Sequence, residues 1–304
     1  MRSRRSAWFR LSEIGQYLLL AGAGIAVLTP IGYLFWELTR RGLPAMSLEF
    51  LTTPPAKFMK AGGILSPLVG SLYLILGTFV LSLPLGLVGA IYLTEYGRGG
   101  WFTRVLRLAI VNLAGVPSVV YGLFGAGLFV VILGGRIDQI FHANKLPEPT
   151  FGTGGLIWAA LTLSLMILPV VITASEEALL SVPDGMRQAS LALGATRWQT
   201  TRRIVLPAAI PGIATGMILG LSRAAGETAP ILLTGAAFFL PSLPDSIHSP
   251  FMALPYHLYV LATQVPDVPE KAPWGTALTL LGVVCMLNVV ASVVRSRARA
   301  RIRW

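Results

Sequence analysis

Charge is the scarcest property of this sequence: only 12% of its 304 residues are charged, against 54% hydrophobic. Soluble domains carry roughly 25% charged residues, so the balance excludes a soluble domain and predicts an integral membrane protein. Cysteine is nearly absent. Cys285 stands alone inside the last apolar run, which excludes disulfides and thiolate metal clusters; it is expected to be a small core hydrophobe. No metal-ligand set is expected. A glycine–lysine pair is also missing from the whole chain. The G-x-x-x-x-G-K-[ST] loop that cradles nucleotide phosphates is therefore absent, so the chain is expected to bind no ATP and to need no cofactor. No secretory signal with a small-residue cleavage site is visible, and the first apolar run is long enough to remain as an anchor.

What the sequence does contain is apolar runs. Crossing a bilayer as a helix takes about 20 such residues, and six candidates occur, at roughly 17–36, 65–94, 108–134, 155–175, 207–240 and 274–294. The expected fold is all-α, a polytopic membrane protein with six transmembrane helices. Most of the 24 Lys and Arg residues, among them Arg98, Arg187 and the tail through Arg303, share one side if the N-terminus is inside. Lys145 and a minority fall on the other. Cytoplasmic segments are enriched in basic residues, so both termini are expected in the cytoplasm. The tail "RSRARARIRW" is then an anchor to anionic lipid, not a nucleic-acid contact.

Several runs carry irregularities. Pro84 predicts a kink in the second. "NLAGVPSVVYGLFGAG" invites close helix approach or irregular backbone, which a membrane tolerates only where protein or a watery cavity covers it. In the proline-rich outer loop, "FMALPYHLYVLA" is too short to span and is expected at the membrane interface. The fifth run repeats small residues every four positions, at Ala208, Gly212, Gly216, Gly220 and Ala224. That stripe allows close helix packing, either inside one bundle or between two subunits.

The most specific stretch is the inner segment "PDGMRQASLALGATRWQTTRRIVLP", residues 183–207. Pro183 suits a first helical turn and Asp184 its positive end. Gly194 can stop that helix in a left-handed cap, and Thr196 can start another. This resembles the "EAA" loop of ABC-importer permeases. Gln188, Ala189 and Ser190 stand at its opening, Gly194 four residues on, and Ile204, Leu206 and Pro207 at its close. Gln replaces the usual Glu, and Ser the second Ala. The resemblance implies that residues 176–206 form a coupling loop that docks, through Gln188, Ala189, Ser190, Gly194, Ala195 and Thr196, on a separate ATP-hydrolysing subunit.

"LSRAAGETAP", residues 221–230, puts Arg223 and Glu227 within an apolar run. A charge at mid-membrane costs roughly 2.5–3.5 kcal/mol on insertion scales. Four residues apart on a helix, the two can partly neutralise each other. Pro230 has no N–H to give the carbonyl of Gly226. With the hydroxyls of Ser222 and Thr228, these groups form a polar spot of the kind that marks a solute path; the alternative is a structural ion pair.

"R-x-x-GETAP-x-L-x-T", with "AGGILSPLVGSL", "LPLGLVGAIYLTEY", "NLAGVPSVVYGLFG" and "MALPYHLYVLAT", resembles the PstA-type phosphate permeases, a family of type I ABC importer subunits. The similarity runs from about residue 43 to 294. It implies three parts: residues 1–63 with the first helix and outer loop, a permease core at 64–294, and a basic tail at 295–304. It also implies a homologous PstC-like permease, two copies of a PstB-like ATPase, a periplasmic PstS-like phosphate-binding protein and an inner-membrane location. Arg223 and Glu227 match charges thought to line the family's phosphate path. Sulfate or molybdate as substrate, and a scaffold with a phosphate-signalling role, remain alternatives. "GLSRA" approaches the G-x-S-x-G of serine hydrolases, but no strand precedes it, and His142, His248 and His257 fall in outer loops. No catalytic residue is expected.

Overall fold

A computed structural model describes residues 2–97, 99–143 and 149–301. Arg98, Lys145 and Arg303 lie outside the described residues. Six helical stretches are long and apolar enough to cross a membrane: Glu13–Ala45, Leu65–Tyr96, Ser118–Phe141, Leu156–Leu180, Arg197–Gly226 and Lys271–Arg297. The chain is a multi-pass, all-α membrane protein.

The bundle is organised around the fourth span, α7 (Leu156–Leu180). Its Ala159, Leu163, Ile167 and Val171 recur every four residues and are buried. The second span, α3 (Leu65–Ile91, ending in a π-helical turn at Tyr92–Tyr96), packs against one side. Gly86 makes that approach possible, since a side chain there would collide with Val171. Ser164 Oγ on α7 donates to the Thr78 carbonyl of α3 at 3.2 Å. The fifth span, α10 (Leu206–Gly226), packs on α7 as well. Its Gly212 and Gly216 face Ala178 and Ala174, and Gly220 faces Val171 and Ile167. The small-residue stripe is thus occupied by a helix of the same chain, where close backbone approach maximises van der Waals contact.

The outermost helices differ from this core. The first, α1 (Arg2–Gly42), is followed by a short α2 (Leu48–Thr52); it touches α13 (Lys271–Arg301) near Gly42, and its residues 13–36 are exposed. Cys285 is exposed on α13, not buried in a core as expected, because that face of the last helix has no neighbour among the described residues.

Three further expectations need correction. The run 108–134 is not one helix. It breaks at Gly115–Pro117, between α4 (Trp101–Ala114) and α5 (Ser118–Gly125), because Pro117 cannot continue the hydrogen-bond ladder. Beyond α5 the chain continues π-helically through Ala126–Gly134 into α6 (Gly135–Phe141). The run 207–240 also breaks: α10 stops at Gly226 and α11 spans only Ala229–Thr234. Third, "FMALPYHLYVLA" is not an exposed surface segment. It forms the start of a buried plug, with Phe251, Met252, Ala253 and Leu254 at most 1% exposed. Its helix α12 (Leu254–Thr263) packs on α13 and α3. The Leu254 N–H donates to Ser71 Oγ at 2.7 Å. Burial lowers the His257 pKa to about 4, so this imidazole is neutral inside the plug.

Candidate functional site

Two helix breaks meet beside the embedded charges. Tyr121 on α5 reaches back across the first break and donates its hydroxyl to the Leu113 carbonyl at 2.8 Å, which also accepts from the Val116 N–H at 3.1 Å. At the second, Glu227 leaves α10 with extended backbone (φ −76°, ψ 134°), and α11 restarts two residues later with Pro230 in its first turn. The two broken segments touch at Gly122, where an added Cβ would lie 3.0 Å from Pro230 Cα. Discontinuous helices of this kind expose backbone polar groups inside a membrane and are found where a transporter binds its solute.

Arg223 occupies the last turn of α10, where a cation is favoured by the helix dipole. Its Nε lies 3.4 Å from Glu227 Oε1, with side-chain exposures of 48% and 18%. The contact is longer than the usual 2.7–3.2 Å range for N–H···O bonds, so the grip is weak. Among the described residues Nη1 and Nη2 of Arg223 have no acceptor. Gly226 is open, with no atom near its Cβ position. Thr228 is half-buried beside the break. Ser222, expected in the same polar spot, is turned elsewhere: its hydroxyl donates to Asn288 Oδ1 of α13 at 3.0 Å, and Asn288 Nδ2 donates to the Val284 carbonyl.

The second cluster sits at the other end of α7. Here α8 (Asp184–Ala192) and α9 (Arg197–Thr200) meet across Gly194, whose φ of +84° suits glycine alone without strain. Pro183 stands just before α8 as its cap, not in the first turn. Thr196 caps α9 in a reciprocal box with Gln199. Ser190 Oγ and Thr200 Oγ1, 2.9 Å apart, tie the two helices together. Gln188 and Ala189 are exposed and Ala195 is half-buried. Leu193 is 90% exposed and Trp198 54%, an apolar surface without a partner among the described residues.

Sequence reasoning missed two groups here. Glu95, at the end of α3, pairs with Arg187 at 3.1 Å. Arg107 Nη2 of α4 lies 2.5 Å from Glu176 Oε1 of α7, a close ion pair without hydrogen-bond alignment. The available signal was a pair of carboxylates near span ends, in a chain with only 13 Asp and Glu.

Comparison with known proteins agrees with this architecture. Residues 82–303 match the family described as "Binding-protein-dependent transport system inner membrane component". The chain is 37% identical over 285 residues to phosphate transport system permease protein PstA 1 of Mycobacterium tuberculosis, covering 92% of this chain and 86% of the relative. It is 32% identical to the PstA permease of Yersinia pestis (98% and 95% covered). To a probable ABC transporter permease, YqgI of Bacillus subtilis, it is 31% identical (85% and 86% covered). Among solved structures, a bacterial alginate ABC transporter aligns with a TM-score of 0.65 at 14% identity, over 90% of this chain and 91% of that one. The MetNI methionine transporter aligns at 0.53 and 18%, over 79% and 95%. At those identities the structural likeness concerns the fold alone.

Proposed function

The chain belongs to the binding-protein-dependent transport system inner membrane component family, and from that premise we propose that it is the membrane-spanning permease subunit of an ATP-driven importer of inorganic phosphate. One observation carries the substrate reading: a half-exposed Arg223 with two unengaged guanidinium nitrogens, set where two broken helices meet. A guanidinium fork donates to two oxygens of an oxyanion at once. Glu227 holds the fork loosely enough to be outcompeted by phosphate and supplies a counter-charge that limits the grip, so release stays fast. Thr228 and the backbone of the break complete this half of the path.

The work comes from outside the chain. In this reading residues 183–207 face the cytoplasm, as do both termini, and the chain sits in the bacterial inner membrane. A separate ATPase subunit, present in two copies, docks on Gln188, Ala189, Ser190 and the Gly194–Thr196 bend, with Leu193 and Trp198 covered by the contact. The ATPase holds the nucleotide; the permease needs no nucleophile or general base. A homologous second permease supplies the other half of the path, and a periplasmic binding protein delivers phosphate. ATP binding closes the ATPase pair, displaces the loop and switches the cavity from one side to the other.

The test is Arg223→Ala in the complete complex, assayed for labelled phosphate uptake alongside co-purification of the partner subunits. Uptake falls by about 100-fold or more, on the basis of two charge-assisted hydrogen bonds at ~1.5–3 kcal/mol each, while the complex still assembles. Undiminished uptake by an assembled variant overturns the assignment. Sulfate and molybdate offered as competitors distinguish the oxyanions.

A further inference from the structure

We propose that Arg187 is a positioning residue that latches the coupling helix α8 to α3 and α7 together, so that displacement of the loop reaches two spans at once. The proposal rests on the coupling-loop reading above. Its observation is the geometry of one guanidinium. Nε and Nη2 donate to Glu95 Oε1 at 3.2 and 3.1 Å, joining α8 to the π-helical turn that ends α3. Nη2 also donates to the Leu179 carbonyl at 2.8 Å, joining α8 to the end of α7, and Nη1 to the Val182 carbonyl of the turn between them at 2.6 Å. A further bond from Nη1 to Asp184 Oδ1, at 3.1 Å, closes the fork on α8 itself.

The surroundings make that fork matter. No residue of α8 is buried, and α8 follows α7 through a short turn at Ser181–Pro183. A push on α8 that travelled only through this turn would be absorbed by its backbone. Arg187 and Glu95 are 16% and 14% exposed at the side chain, whereas Arg197, Arg202 and Arg203 nearby are exposed. Shielded from water, a bond network of this kind is stiffer and stronger than at the surface. Only a planar fork can meet acceptors on three segments at once; a lysine ammonium offers a single point charge.

A purely structural role, as a cap on the α7 carbonyls, makes a different prediction. Glu95→Gln leaves those carbonyl contacts in place and removes only the charge that holds α3. The complete complex, reconstituted with its ATPase and binding protein, is assayed with inorganic phosphate for phosphate imported per ATP hydrolysed. In Glu95→Gln and in Arg187→Lys, ATP hydrolysis persists and this ratio falls about tenfold, within the range of measured coupling effects. A wild-type ratio in either variant overturns the latch.

A second measurement needs no disruptive substitution. Spin labels at Tyr96→Cys and Gly185→Cys, in a Cys285→Ala background, report the distance between α3 and α8. That distance stays constant between nucleotide-free and ATP-bound complexes if the two move as one body, and a change on ATP binding overturns the proposal. Failure of the wild-type complex to import phosphate with ATP would instead defeat the coupling-loop reading.

Discussion

Among the arginines that face a glutamate, Arg187 and Arg223 are separated by their surroundings. Arg187, near the end of α7, makes five hydrogen bonds to four acceptor atoms within 3.2 Å and is 16% exposed. Arg223, where α10 breaks, meets one carboxylate oxygen at 3.4 Å and is 48% exposed. The first has no donor to spare for a ligand. Among the described residues the second keeps most of its donors free inside a membrane, where an unsatisfied group is costly. A fold tolerates that cost where the missing acceptor arrives from outside. On the proposed reading, saturation marks an element that holds, and incompleteness an element that binds.

That contrast can be broken by experiment. The largest expected effect is the loss of uptake in Arg223→Ala; the same variant should leave the thermal unfolding of the purified complex nearly unchanged. Arg187→Ala should do the reverse to stability. Removing one partner of a shielded pair strands the Glu95 carboxylate and costs about 3 kcal/mol, read as a lowered unfolding midpoint. Equal destabilisation by both variants would erase the distinction. Replacing Gly194 by Val places a β-branched side chain at φ +84°, at a cost of about 1–2 kcal/mol. The α8–α9 bend then relaxes, and ATP hydrolysis continues while phosphate import per ATP declines. The smallest effect belongs to Ser222→Ala. Loss of its bond to Asn288 costs about 0.6 kcal/mol, typical of hydrogen bonds between membrane helices, with little change in uptake. A Ser222→Ala variant with uptake as low as Arg223→Ala would return that hydroxyl to the path.

Much of this was legible because the determinants are local. Six spans followed from apolar length, although their ends moved by up to a few turns. Gly194 announced a left-handed bend, and Thr196 a cap, because each acts through its own backbone. Arg223 stood out as a charge in an apolar run. Cys285 and α12 were misread for a shared reason: composition reports how apolar a segment is, not which neighbour covers it. The short run at 251–263 was apolar enough for an interface, yet the small residues Gly70 and Ser71 of α3 open a site that buries it. Glu95 and Arg187, 92 positions apart, offered no local sign of their pairing.

By itself, the sequence determined that this is a helical membrane protein lacking the G-x-x-x-x-G-K-[ST] motif, with a capped bend at one end and charge embedded in a span. Those properties depend on transfer energy, backbone conformation and residue chemistry, which act within a few turns of chain. Only the tertiary structure decided where α10 stops, which of the nearby hydroxyls is spent on α13, and which arginine has donors left over. Hydrogen bonds saturate at short range, so whether a polar group is satisfied depends on residues that only the folded chain brings within about 3 Å.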